Sequence, residues 1–287
     1  FPDRLSGGFW GVDIFFVISG YLITKIILDE LATNNFSIFR FYSRRIRRIF
    51  PSLILVLASC FIFGWFVLSN IELQQLGKHT FAGGLFLSNI ALLLESGYFD
   101  VSSKVKPLLH LWSLGVEEQF YIFWPLFIYV IWWRRFAVRI LLLIGVVSLL
   151  TYILLLIWNE TAAFYLPISR LWQLLLGGLL AKIEKKNVYI FFSSKHLAKQ
   201  YDWSKNLQSI FGVVLIFIPA LFLNDQSLHG LAGLFPTIGT VLIIASGADA
   251  WINRKLLSHG YIVWLGTISY PLYLWHWPLL VFLRIIE

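Results

Sequence analysis

The sequence predicts an all-α fold, a polytopic bundle of transmembrane helices, and two observations carry that reading. Hydrophobic residues make up 59% of the 287 positions and charged residues only 13%, with a mean hydropathy of +0.77, so the chain has far more apolar surface than a soluble domain could bury. The apolar residues are also grouped. Charge-free runs at 51–71, 140–159, 206–224, 226–248 and 256–283 each approach the ~20 residues that a helix needs to cross a bilayer.

Three further spans are predicted at 9–28, which carries Asp13 and Lys25, at 119–133, and at 164–181, which carries Arg170. Loop charge orients them, because cytoplasmic loops gather Lys and Arg. The segment 29–50 holds five arginines; Arg134, Arg135 and Arg139 follow the span ending at Trp133. Lys182, Lys185, Lys186, Lys195, Lys199 and Lys205 follow Ala181, and Arg254 with Lys255 lies in 249–258. These belong inside, whereas 159–164 and 224–230 contain no Lys or Arg and belong outside. The chain must then leave near Ser69 and re-enter from the same side near Gln119, which makes the 15-residue apolar piece 80–94, with its adjacent Gly83 and Gly84, a re-entrant or interfacial segment. The expected total is eight crossings, with Phe1 and Glu287 both outside.

The single cysteine, Cys60, lies in a span and excludes a disulfide or thiolate–metal framework. With no methionine and an abrupt start and stop, the chain is expected to be one integral-membrane domain over 1–287, an internal fragment of a longer protein truncated at both ends. No Cys/His metal spacing and no G-x-S-x-G elbow is present, and Gly7, Gly8, Gly11 and Gly20 lack the Lys-Ser/Thr pair of a phosphate loop. The net charge of +8 sits in the inner loops, so it reports topology and not nucleic-acid binding.

Two groups of residues point to chemistry. Arg40, Arg44, Arg47 and Arg48 recur at helical spacing among Phe36, Phe39, Ile46 and Phe50, which describes a basic amphipathic helix on the inner surface. It suits either an anchor on anionic membrane lipid or a dock for a multiply phosphorylated ligand, whose oxygens a guanidinium fork matches bidentately. The second group is polar at membrane depth, where charge is costly unless it faces a cavity or a partner. Asp13, His110, Glu117, Glu118, Arg170 and His276 come from four spans and are expected to converge on the outer third of the membrane, as a site open to the extracytoplasmic side. Each has a plainer alternative: Arg170 snorkelling, His276 in an aromatic belt, Asp13 paired with Arg170, and the glutamates facing water. Pro271 and Pro278 would free backbone carbonyls to line a cavity.

Taken together, "GGFWGVDIFFVISGYLIT" (7–24), "FYSRRIRRIFPSLILVL" (41–57), "KPLLHLWSLGVEEQFYIFWPL" (106–126), "SRLWQLLLGGLLA" (169–181) and "GTISYPLYLWHWPLL" (266–280) resemble the membrane acyltransferase-3 family, in particular its bacterial O-antigen and cell-wall O-acetyltransferase branch. The resemblance implies a multi-pass enzyme of the bacterial inner membrane. Such an enzyme moves an acyl group, usually acetyl from cytoplasmic acetyl-CoA as donor substrate, to hydroxyls of a polysaccharide or lipid-linked glycan such as O-antigen lipopolysaccharide or peptidoglycan. It has no bound cofactor. It assigns Arg44, Arg45, Arg47 and Arg48 to the coenzyme A phosphates, and it matches Glu117, Glu118 and Arg170 to family motifs. Asp13 or a carboxylate at 117 or 118 would orient the catalytic base, and Arg170 and His276 would bind acceptor or stabilise developing charge.

Two departures accompany the resemblance. The family's presumed catalytic histidine and its upstream basic partner precede the "GGFxGVDxFF" motif, so a chain beginning at Phe1 is expected to be inactive alone, and His110 is no assured substitute. Gln173 stands where many relatives carry Glu, so another carboxylate, such as Asp13, must position Arg170. An SGNH-type esterase domain is expected downstream in many members of this branch. The rival readings are a transporter or lipid-linked glycan carrier, which should show an internal repeat that these halves lack by eye, and an inactive scaffold subunit.

Overall fold

A computed structural model describes residues 10–95, 105–131, 134, 136–185, 198–222 and 229–286, and the described residues are helical with turns and no strand. Gly7, Gly8, Lys186, Lys195 and most of the outer loop 224–230 lie outside them. The helices are α1 (Trp10–Ala32), α2 (Ile38–Val67), α3 (Asn70–Gly84), α4 (Ser88–Glu95), α5 (Leu111–Ile131), α6 (Ala137–Trp158), α7 (Glu160–Tyr165), α8 (Pro167–Lys185), α9 (Ala198–Phe222), α10 (His229–Ala232), α11 (Leu234–Ser246) and α12 (Gly260–Ile286). A π-helical turn, Asn253–Leu257, precedes α12.

Among the described residues, five stretches are long and apolar enough to cross a membrane: α1, α2, α5, α6 and Glu160–Lys185, which joins α7 to α8. The other three expected spans fall on α9, whose apolar part is 203–218, on the short α11, and on α12, so the length-and-hydropathy measure supports five of the eight. Large apolar side chains such as Phe66, Phe123 and Trp158 lie exposed on the outside of the bundle, as a lipid-facing surface requires.

Local sequence accounts for the boundaries. The basic stretch is not a separate surface helix: α2 runs unbroken through Pro51, from Ser37, whose side chain accepts from the Arg40 N–H, to Val67. At 1.5 Å per residue it is about 45 Å long against a hydrocarbon core of about 30 Å, so its arginine-bearing end need not enter the apolar layer. The expected re-entrant piece 80–94 is the end of α3 and all of α4, separated at Phe86, whose φ of 58° reverses the chain. Gln119 of α5 holds that reversal, its Nε2 donating to Phe86 O at 2.8 Å and to Asn89 Oδ1 at 2.9 Å. A capping box opens α3, with Ser69 N and Oγ both donating to Glu72 Oε2 at 2.9 and 2.7 Å. Pro167 opens α8, at a position where its missing N–H costs nothing.

The bundle closes around α1. Its Phe16, Ile23, Ile27 and Leu28 pack with Val116, Phe120, Trp124 and Ile128 of α5 and with Leu174 and Leu175 of α8. Glycine sets the α1–α8 distance. A Cβ at Gly20 would meet the backbone of Leu174, and one at Gly177 the backbone of Val17 and Tyr21, the close approach that small residues permit between membrane helices. A second core joins Ile49, Leu53, Val56, Leu57 and Cys60 of α2 to Leu111 and Leu114 of α5 and Leu274 and Phe282 of α12. Ion pairs tie the ends: Lys25 to Glu184 at 3.3 Å, and Lys185 to Asp29.

Above α5, Glu95 of α4 receives His79 Nε2 at 2.7 Å and Lys106 Nζ at 3.3 Å. Burial pushes the Glu95 carboxyl up, but His79 and Lys106 outweigh it and hold it below the ordinary value of 4.5. A carboxyl lowered by folding stabilises at pH values above its unfolded pKa and stops doing so as pH falls through its folded one. The Tm difference between wild type and Glu95→Gln in detergent is therefore expected to be present at pH 7 and to close only below pH 4.5. Gly20→Leu is expected to lower Tm sharply, whereas Gly145→Leu on α6, where a Cβ meets nothing within 4 Å, is expected to leave it near wild type.

Candidate functional site

The polar residues do not gather into one cluster; they form three groups, of which the one around Glu117 and Glu118 stands apart from Trp112, the residue that lies beside Arg170. The first joins α1, α2 and α5. Because α5 begins at Leu111 and not near Gln119, Glu117 and Glu118 lie inside the helix and are buried, 4% and 8% exposed, and do not face water ahead of a span. Arg45 of α2 places a guanidinium nitrogen 3.9 Å from Glu117 Oε1 and 3.9 Å from Glu118 Oε1, and its plane lies 3.8 Å from the Tyr121 ring centroid. Ser19 Oγ donates to Glu117 Oε1 at 2.6 Å, and the Tyr121 hydroxyl also meets both Glu117 and Ser19. The expectation that the glutamates sit at the outer end and the arginines at the inner one is therefore corrected. One side chain touches both sets, so they share a level.

The remaining arginines have other surroundings. Arg44 pairs with Glu30 at 2.6 Å, and Arg40, Arg47 and Arg48 are exposed. Among the described residues neither Arg47 nor Arg48 has a carboxylate within ion-pair reach. The guanidiniums at 44, 47 and 48 are exposed, and their planar forks match the geometry of anionic oxygens.

The second group is sealed. Arg170 of α8 donates from Nη1 to Asp13 Oδ1 at 3.1 Å and from Nε to Phe164 O at 3.4 Å, and lies 5.1 to 5.8 Å from the ring centroids of Tyr152, Phe164 and Trp112. Gln173 Nε2 donates to the same Asp13 oxygen at 2.7 Å and to Thr237 Oγ1 at 3.4 Å. Asp13 and Arg170 are 5% and 6% exposed, so Arg170 does not snorkel to the surface; it is held by Asp13, with Gln173 bracing the carboxylate.

The third group joins the turn before α5 to α12. His110 and His276 face each other with ring centroids 5.6 Å apart, and Tyr273 lies 5.4 Å from each. The Tyr273 hydroxyl bonds His110 O at 2.6 Å and Ser113 Oγ at 2.5 Å, and His276 Nδ1 bonds Tyr273 O at 2.6 Å, leaving Nε2 on an exposed ring. His110 stands in the turn ahead of α5, so it does not share a helical face with Glu117. On α12, Tyr270, Tyr273 and His276 recur every third residue, with the Tyr270 hydroxyl on Ile49 O at 3.1 Å. Sequence reading missed Ser19, Tyr121, Ser113 and Tyr273. Tyr121 is four residues from Glu117 on the same face and so had a signal; Ser19 and Tyr273 owe their place to other helices and had none. No group of three or more His, Cys, Asp or Glu able to hold a metal occurs among the described residues.

Comparison with known proteins gives the following. Residues 2–286 match a family described as "Acyltransferase domain". An uncharacterized protein of Haemophilus influenzae is 35% identical over 248 residues, covering 81% of this chain and 96% of its own length. The O-acetyltransferase OatA of Staphylococcus aureus is 32% identical over 290 residues, 98% of this chain and 47% of that protein. The provisionally named peptidoglycan O-acetyltransferase YrhL of Bacillus subtilis is 32% identical over 288 residues, 96% and 45%. The chain thus spans about half the length of these two O-acetyltransferases. No solved structure matches.

Removing one partner of a buried ion pair leaves a charge stranded, so Asp13→Asn is expected to destabilise the protein by about 3–5 kcal/mol. Replacing both partners, as in Asp13→Asn with Arg170→Met, is expected to recover part of that loss in denaturant unfolding.

Proposed function

The chain belongs to the acyltransferase-3 family, and on that premise we propose that it is the membrane domain of an O-acetyltransferase. It takes an acyl group, acetyl in the first instance, from cytoplasmic acyl-CoA to hydroxyls of an extracytoplasmic glycan. The observation that carries this reading is a line of polar side chains through an apolar bundle. It runs from exposed Arg47 and Arg48, through Arg45 and the buried Glu117 and Glu118, and along Tyr270, Tyr273 and His276 of α12 to His110. From Glu118 to His110 is eight residues, about 12 Å at helical rise.

Eight crossings, counting α9, α11 and α12, put the arginine end inside by the loop charges and the histidines outside, in the bacterial cytoplasmic membrane. Arg44, Arg47 and Arg48 would hold the donor phosphates. In the transfer the acceptor oxygen bonds to the acyl carbon, the C–S bond breaks, and the hydroxyl proton passes to the departing thiolate. His276, with Nε2 presented and Nδ1 fixed, would bind acceptor or relay that proton. Asp13 and Arg170, dry and mutually satisfied, would hold α1 against α8 and not touch substrate. The name of the B. subtilis relative favours peptidoglycan as acceptor, with O-antigen lipopolysaccharide an alternative of the same chemistry.

The test uses the complete gene product in a bacterium lacking its own O-acetylation, with acetyl esters on surface polysaccharide and peptidoglycan scored by mass spectrometry. Wild type is expected to esterify one of them. Arg47→Ala with Arg48→Ala, expressed equally, is expected to fall at least about tenfold, since each charge-assisted bond contributes about 1.5–3 kcal/mol. A well-expressed wild type that leaves no ester would remove the transferase reading in favour of a transporter or glycan carrier.

A further inference from the structure

Neighbours within the arginine row, and within the carboxylate pair, have unlike surroundings. Arg45 is 15% exposed; its face is covered by Tyr121 and its edge looks at two carboxylates. A phosphate brought to that guanidinium would have to displace it from two carboxyl groups and crowd their oxygens in a poorly solvated site, which is costly. Arg47 and Arg48, exposed, meet no such obstacle. Of the glutamates, Glu117 is committed: its Oε1 takes the hydroxyls of Ser19 and Tyr121. Glu118 Oε1 is buried without a hydrogen-bond partner and meets the Arg45 guanidinium only at 3.9 Å. A buried acceptor left without a hydrogen bond is expensive, and a contact of 3.9 Å does not replace one, so this oxygen can still take a donor from a ligand.

We propose that Arg45 and Glu117 are positioning residues that lock α2 to α5, that Arg45 takes no part in binding donor phosphates, and that Glu118 Oε1 is the acceptor presented to an N–H or O–H of the bound acyl donor. This rests on the acyl-CoA reading above and separates residues that the family resemblance treats as one set.

The complete gene product in nanodiscs provides the test, with coenzyme A affinity by calorimetry, acetyl transfer to a glycan oligosaccharide, and Tm. Arg47→Ala/Arg48→Ala is expected to weaken coenzyme A binding tenfold or more. Arg45→Gln is expected to keep Kd within about threefold of wild type while lowering Tm and kcat, and Arg45→Gln/Glu117→Gln to regain part of the lost Tm, because both partners of the buried pair are then neutral. Glu118→Gln, which breaks no hydrogen bond and removes only the 3.9 Å contact with Arg45, is expected to lower Tm less than Arg45→Gln does yet lose kcat tenfold or more. Loss of coenzyme A affinity in Arg45→Gln equal to that of the Arg47/Arg48 variant would overturn the division of the row. Full activity in Glu118→Gln, or a Tm loss in it equal to that of Arg45→Gln, would overturn the division of the pair. A wild type that binds no coenzyme A overturns the donor reading and the Glu118 contact with it, while the double variant's Tm still decides the Arg45–Glu117 coupling.

Discussion

A single guanidinium, Arg45, stands between two carboxylates on a neighbouring helix, in a bundle whose core is built mainly of apolar side chains. Much of the rest follows from the need to satisfy that charge. Water cannot reach it freely, so the carboxylates must come from α5, a hydroxyl from α1 and an aromatic face from α5 again. Hydrocarbon packing holds helices together without fixing which residue sits opposite which, because one apolar ridge slides past another at little cost. A charge network does fix it. With Arg45 facing Glu117 and Glu118, the Tyr42 hydroxyl falls on Ile122 O and the Tyr270 hydroxyl on Ile49 O, so α2, α5 and α12 are set in register together.

The opposite side of α1 uses a different device. Glycines at 20 and 177 bring α1 and α8 to backbone contact, and the Asp13–Arg170 pair, braced by Gln173 and Thr237, pins the same two helices higher up. Close backbone approach supplies dispersion contacts along the crossing, and the buried pair fixes its rotation. α1 is therefore held by polar contacts on both faces, to α5 through Ser19 and through Thr24, which accepts from Trp124 at 2.8 Å, and to α8 through Asp13.

This arrangement suits the proposed passage of an acyl group from one side of the bundle to the other. The exposed arginines and the histidine pair are held apart by helices whose register is fixed, and the polar groups between them belong to α5 and α12, elements that meet at Tyr273. Deep carboxylates in such a bundle are stabilised only by named partners, so their roles can be read from who those partners are. Glu117 is spoken for by two hydroxyls, whereas Glu118 keeps an oxygen without a hydrogen bond.

Composition and periodicity alone established the all-helical class, most helix positions, the confinement of Cys60 to a span, and the Asp13–Arg170 partnership as one of the open alternatives. These follow from local rules: apolar run length, loop charge, and the cost of a lone charge in hydrocarbon. The helix starts were less legible, since α5 opens eight residues ahead of its expected start, in "LWSLGVEE", where Gly115 and two adjacent glutamates interrupt the apolar run. Tertiary structure alone decided the vertical registry of one helix against another. That registry moved Glu117 and Glu118 from the histidines to Arg45, turned Arg45 away from the row to which the family resemblance had assigned it, and recruited Ser19 and Tyr273. A single chain carries its own helical period, but the offset between two helices is set by contacts between them, and no pattern within either one records it.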